Sequence, residues 1–163
     1  MNRVWHPERF QGIHQKKNYF EGWYFKLIDR QHKLVLAVIP GISIGKNKAD
    51  SHAFIQVINA LSGQVEYYRF PYEQFQTDKG RFDVYIGDNH FSESEMALHL
   101  HNEHLRLEGS LSFTNLIKYP STFFSPGIMG PFTFVPKMEC YHGIVNIHHT
   151  ILGTLAMNDM ILD

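Results

Sequence analysis

One cysteine, Cys140, is all the chain has in 163 residues. An internal disulfide framework is excluded, and a reducing, cytoplasmic setting fits. Charge imbalance is missing too: 15 Lys and Arg stand against 16 Asp and Glu, for a net charge of -1. The basic residues are scattered, without the stripe of a nucleic-acid-binding surface, so no nucleic-acid partner is expected. The N-terminal "MNRVWHPERF" has no apolar core of a secretory signal. The best apolar run, "LVLAVIPGISI" at 34–44, is short and broken by Pro40 and Gly41, so no integral membrane span is expected. No window of a dozen residues carries a 3.6-residue period, and neither a Walker-type loop nor a dinucleotide fingerprint occurs.

Aromatic residues are plentiful, at 14% with 13 Phe and 8 Tyr, and favour strands or an aromatic-lined cavity. Period-2 runs predict strands at 23–29, 33–44, 52–59, 64–70 and 81–87, two long strands within 96–116, and a strand pair within 141–157. Gly63 is placed to supply the positive φ of the hairpin turn at 60–63. About nine short strands in one β domain over 1–163 predict an antiparallel lipocalin-like barrel or a β-sandwich. The segment 45–51 reads as a solvated connection. The Pro- and Gly-rich 119–137 reads as a loop across the end of the sheets, or as a lid over an apolar pocket. The last residues, "NDMILD", read as an incomplete edge that calls for another strand or another chain, so a homo-oligomer is expected.

Eleven histidines invite a metal reading. A two-residue turn at Asn102-Glu103 would set His101 against His104 and His99 against Arg106, with Leu98, Leu100, Leu105 and Leu107 on the opposite face. A solvated sheet face explains these histidines better than a metal site, and no metal is expected. His148-His149 is weaker still, because neighbours on a strand point opposite ways. Cys140 with His142 lacks the third member of a nucleophilic site and reads as a small buried hydrophobe.

The stretch "NYFEGWYFK" at 18–26 sets one carboxylate, Glu21, among five aromatic rings. In a regular strand Glu21, Trp23, Phe25 and Leu27 share a face, unless Gly22 marks a bulge that resets the alternation. A carboxylate there can pair with a base, cap backbone N–H groups, or stay protonated as an acid in an apolar cavity. "PKMECYHG" at 136–143 offers a second such spot, with Glu139 between Met138 and Cys140 and His142 close behind.

Phe10-Gln11-Gly12, the block Phe20 to Lys26, and Met138-Glu139-Cys140 with His142-Gly143 resemble the signature blocks of the tocopherol cyclase family, in particular its short bacterial relatives. The resemblance is to the N-terminal half of a family built of two such halves. It implies lipocalin-like or sandwich-like β halves around an apolar cavity. For plant members it implies closure of a prenylated quinol to a chromanol, an isomerisation that needs an acid, a shaped pocket and exclusion of water, and no cofactor. Glu21, Glu139 and His142 are then the candidate catalytic groups, and Trp23, Tyr24, Phe25, Met138 and Tyr141 the candidate contacts to a hydrophobic small molecule or lipid. Two other readings stand beside it: a non-catalytic carrier of a hydrophobic ligand, and a structural half that is active only in an assembly.

Overall fold

A computed structural model gives the fold and describes residues 5–31, 33–122, 127–135, 141–158 and 160–162. The chain forms β1 (Tyr19–Gly22), β2 (Phe25–Ile28), β3 (Val35–Ile44), β4 (His52–Asn59), β5 (Val65–Pro71) and β6 (Phe75–Thr77). There follow β7 (Asp83–Ile86), β8 (Asn89–Ser92), β9 (Glu95–His101), β10 (Arg106–Lys118), β11 (Asn146–Met157) and β12 (Met160–Leu162). Single 3₁₀ turns at Lys48–Asp50, Tyr72–Gln74 and Gly130–Phe134 are the helical elements among the described residues. None is long and apolar enough to cross a membrane.

All pairings are antiparallel and fall into two sheets. The first runs β1-β3-β4-β5, with β2 also on β3, and the second runs in the order β12-β11-β10-β9-β8-β7-β6. The sheets do not close on each other, because β1–β2 and β5 end the first and β12 and β6 end the second. The all-β expectation holds, and of its two forms the sandwich-like one matches; the barrel does not.

Period-2 patterning decides which face each strand buries. Ala53, Ile55 and Val57 of β4, Val84 and Ile86 of β7, and Met96, Leu98 and Leu100 of β9 all lie within 2% of full burial in one continuous cluster. Leu98, Leu100, Leu105 and Leu107 do share the inner face, as their spacing predicts. Each such side chain stabilises the fold by roughly 1.5–3 kcal/mol relative to exposure. Tyr68 ties the two sheets together: its hydroxyl donates to the Leu105 carbonyl at 2.7 Å.

The β9–β10 turn differs from its predicted form. Asn102 Oδ1 accepts from the N–H groups of His104 and Leu105 (2.8 and 2.7 Å), and Asn102 N–H donates to Leu105 O. The side chain caps the turn and moves its tip to Glu103-His104. His101 therefore lies opposite Arg106, and His99 opposite Glu108. The face assignment survives, since the register changes by an even number of residues.

Three further differences have local causes. The segment 141–157 is one strand, β11, from Asn146 on, and not a pair. Gly153 (φ +123°) continues the strand, because a Cβ there would strike the Ser110 carbonyl of β10. Short β8 follows a tight turn at Gly87-Asp88, with Gly87 at φ +57°, which splits the region after 81–87 into a hairpin. Gly22 is not a bulge: it lies opposite Gly41, and Phe25 lies opposite Val38, three positions on in both strands. The ladder nevertheless opens at Trp23-Tyr24. Trp23 N–H donates to Pro40 O at 3.0 Å, and Pro40 has no N–H to return.

Candidate ligand site

Where the β1–β2 edge of the first sheet faces β10 and β11 of the second, the sandwich opens into a cleft of about 2140 Å³. The unbroken register across Gly22 fixes its wall. Glu21, Trp23, Phe25 and Leu27 point inward, and Phe20, Tyr24, Lys26 and Ile28 point out. Trp23 is buried, its Nε1–H donating to Glu8 O at 2.9 Å and its ring 5.2 Å from that of Phe82. Phe25 sits among the rings of Phe82, Phe91 and Phe113, at 5.8–6.0 Å between centroids. Offset and tilted rings at these separations each add about 0.5–1.5 kcal/mol beyond their buried area.

Glu21 is half-buried at the cleft wall. Its carboxylate accepts the backbone N–H of Gln11 on both oxygens (3.1 and 3.0 Å) and the Tyr19 hydroxyl on Oε2 (2.5 Å). Of the three fates open to it, the geometry displays the capping of backbone. Gln11 in turn donates through its side chain to His6 O and Arg9 O, at 3.0 and 2.8 Å. Glu21 thus holds the N-terminal arm, residues 5–18, against the edge of the first sheet. Phe10 of that arm packs on Trp23 and Phe75 (6.3 and 5.2 Å). Gly12 lies so close to the rings of Phe10 and Tyr19 that a Cβ there would stand 2.5 Å from each.

The segment after the Pro-rich loop reaches the same place. Gly143 abuts Pro7, leaving 2.5 Å for a Cβ. His142 and Tyr141 line the cleft and are exposed. His142 donates its backbone N–H to Met129 Sδ (3.2 Å), and the Tyr141 hydroxyl donates to Val135 O (2.7 Å). Among the ion pairs of the described residues none joins His142 to Glu21, although both line the cleft. Tyr24 is 65% exposed on the opposite side of the strand from Trp23 and Phe25, and it too lines the cleft. Met138, Glu139 and Cys140 lie outside the described residues.

One cleft residue escaped the sequence reading. His149 stands edge-on to Phe113, with centroids 5.0 Å apart at 69°. Burial, with a smaller contribution from His148, holds its imidazole below the ordinary histidine range. A neutral imidazole thus faces the aromatic wall. The signal was present in the alternation: Met157 and Leu155 point into the core, and stepping back by twos reaches Ile151 and His149. The hairpin histidines lie elsewhere, on the outer face of β9, where His99 and His101 help to hold the Glu108 carboxyl below its usual range, after the larger effect of Arg106.

No protein-family model, curated protein or solved structure matches this chain.

Proposed function

We propose that the chain binds a hydrophobic small molecule of the prenylated quinol kind in the cleft between β1–β2 and β10–β11. The observation that carries this is the cleft itself: about 2140 Å³, with Trp23, Phe25, Phe82 and Phe113 on its walls beside many polar and charged side chains. Aromatic side chains on a concave wall, with polar groups that fix orientation, are a common form of a small-molecule site, and a ligand of ordinary size would fill only part of this cleft. Among its polar groups are Glu21 with Tyr19 bonded to it, and His149 beside Phe113. They suit a ligand with an apolar tail and a phenolic head, whose hydroxyl can donate to an imidazole nitrogen.

The activity to be tested on this ligand is ring closure, as the resemblance to the tocopherol cyclase blocks implies. A proton relayed from solvent adds to the alkene carbon, the phenol oxygen forms a C–O bond to the resulting cation, and the phenolic proton departs to a base that returns it to solvent. Composition is unchanged and no oxidant is consumed. His149, neutral near pH 7, suits the proton-accepting role; Glu21, engaged with Gln11 and Tyr19, suits positioning of the arm.

Organic extraction of the purified protein followed by mass spectrometry, and titration with a prenylated hydroquinone followed by tryptophan fluorescence, test the reading. A co-purifying lipid or saturable quenching is expected. Absence of both overturns it. Conversion of the bound quinol to an isomer of equal mass assigns the cyclase activity, and saturable binding without conversion assigns the carrier.

A further inference from the structure

The outer side of the β1–β2 edge has a composition that ligand binding does not require. Between Lys16 and Gln31 the exposed side chains are Lys16, Lys17, Asn18, Phe20, Tyr24, Lys26, Ile28, Arg30 and Gln31. No carboxylate is among them. Both acids of the stretch are half-buried and turned to backbone: Glu21 accepts from Gln11 N–H, and Asp29 from Gln31 and Leu34 N–H (3.1 and 2.6 Å). Phe20 is 64% and Tyr24 65% exposed, unusually high for large rings on a sheet. The constant register places Phe20, Tyr24, Lys26 and Ile28 in one row, about 27 Å long at the rise of a strand. Lys16, Lys17, Lys26 and Arg30 make no ion pair among the described residues.

We propose that this row is a docking surface for a lipid bilayer bearing anionic headgroups. Aromatic rings settle at the boundary between headgroup and acyl chain, and lysines bury their stems there while keeping the ammonium among phosphates. A protein interface is a poorer occupant, since lysine is depleted from interface centres. A second copy is poorer still: a two-fold contact sets the row against itself, Lys26 with the flanking Lys16, Lys17 and Arg30 meeting the same cations of the other copy, and outward lysines on an edge strand oppose strand pairing. Position supports the same occupant. Phe20, Tyr24, Lys26, Ile28 and Arg30 are exposed and also line the cleft, so a chain docked through them would hold the cleft against the membrane. The inference uses the ligand reading for that last step only.

Sedimentation with vesicles tests it, comparing phosphatidylcholine alone with equal parts phosphatidylcholine and phosphatidylserine, without added quinol. Binding is expected to the anionic vesicles, weaker on phosphatidylcholine and weakened by salt. Tyr24→Ser/Lys26→Glu and Lys16→Glu/Lys17→Glu should each lower partition by at least about fivefold, the worth of one cation at such a surface. All four positions are exposed, so unchanged thermal melts check the fold. Failure to sediment with either vesicle, or binding indifferent to both variants, overturns the proposal. So does a lipid-free dimer that these substitutions dissociate, with no vesicle binding, which would give the row to a second copy. Quinol titration in solution separates the two readings. Quenching without vesicle binding sinks docking alone, and vesicle binding without quenching sinks the ligand reading alone.

Discussion

Replacing Glu21 by Gln keeps the side-chain shape and removes the charge, so it separates a structural carboxylate from a catalytic acid. In the structure the two oxygens take three contacts of 2.5–3.1 Å from Gln11 N–H and Tyr19 O–H. A glutamine can present its one oxygen to Tyr19 and Gln11 together, but its NH₂ then faces the Gln11 N–H where Oε1 stood. Hydrogen bonds to a charged acceptor contribute about 1.5–3 kcal/mol and neutral ones about 0.5–1.5. Downgrading this set, with partial exposure to water softening the loss, should cost about 1–3 kcal/mol. For a chain of this size that is a fall in Tm of roughly 2–12 °C. The assay is thermal unfolding at neutral pH of wild type, Glu21→Gln, Tyr19→Phe and the double variant. Because Tyr19 and Glu21 share a bond, their effects should fall short of additivity by about 0.5 kcal/mol or more. A Glu21→Gln protein that melts at or above the wild type would refute the capping argument. It would mean that the charge is a burden in the fold, as an acid kept for an apolar substrate would be.

Other perturbations follow from the same geometry. His149 has a folded-state pKa below its ordinary 6.5, so the unfolded chain binds the extra proton first. Its contribution to stability is complete above that value and is lost as pH falls through and below it, so melts at pH 5.5 against 7.5 should show a drop that His149→Gln reduces. Tyr68, pushed up to about 12 by burial and the Glu66 charge, should ionise well above the ordinary tyrosine range in an ultraviolet titration. Tyr68→Phe, which leaves the Leu105 carbonyl without its donor, should cost about 1–2 kcal/mol in denaturant unfolding. Gly41→Ala would drive a Cβ into Phe54 Cζ and to 2.6 Å from Glu21 O, and should lower stability by about 1–3 kcal/mol in the same assay; a neutral result would mean that the β1–β3 spacing is relaxed. Among the described residues β12 covers β11 only at Leu155–Met157, while Ile147 and Leu152 are 57% and 50% exposed. Light scattering at tens of micromolar, on the order of transient affinities, should therefore find a dimer that Leu152→Lys weakens, and a clean monomer would count against it.

The sequence made faces legible better than partners. Leu98, Leu100, Leu105 and Leu107 were assigned to one face by spacing alone, and they are buried together although the turn between them is shifted. Period 2 is a property of one strand, whereas register depends on what the neighbouring strand and the turn offer. Asn102 capping the β9–β10 turn is such an offer, and a two-residue turn placed one position earlier looked equally good. The same division holds at the cleft. The inward set Glu21, Trp23, Phe25 and Leu27 follows from alternation. The donors to Glu21 do not, because Gln11 reaches it through a fold of the N-terminal arm with no repeating pattern. His149 was passed over for a related reason. Adjacent histidines on a strand must point opposite ways, and the alternation makes 149 the inward one only once the strand is known to run unbroken from Asn146 to Met157.

A single residue on another strand accounts for much of the character of this edge. Pro40 lies in the middle of β3, where a central strand normally excludes proline. Its missing N–H falls on the side of Trp23, so the ladder there has one bond, Trp23 N–H to Pro40 O, where two would form. Among the described residues the far side of the edge has no strand beside it in the sheet order either. In its place lies the N-terminal arm, tied to the edge by side chains: Trp23 Nε1–H to Glu8 O, and Glu21 to Gln11 N–H. Phe10 packed on Trp23 supplies the apolar part of the same closure. Trp23 and Glu21 each bond through their side chains to the arm while β3 holds the backbone around them. That division of labour requires residues with a donor or acceptor on an inward, mostly apolar face. A Leu at 23 or a Val at 21 would satisfy the core equally well and leave the arm without its ties.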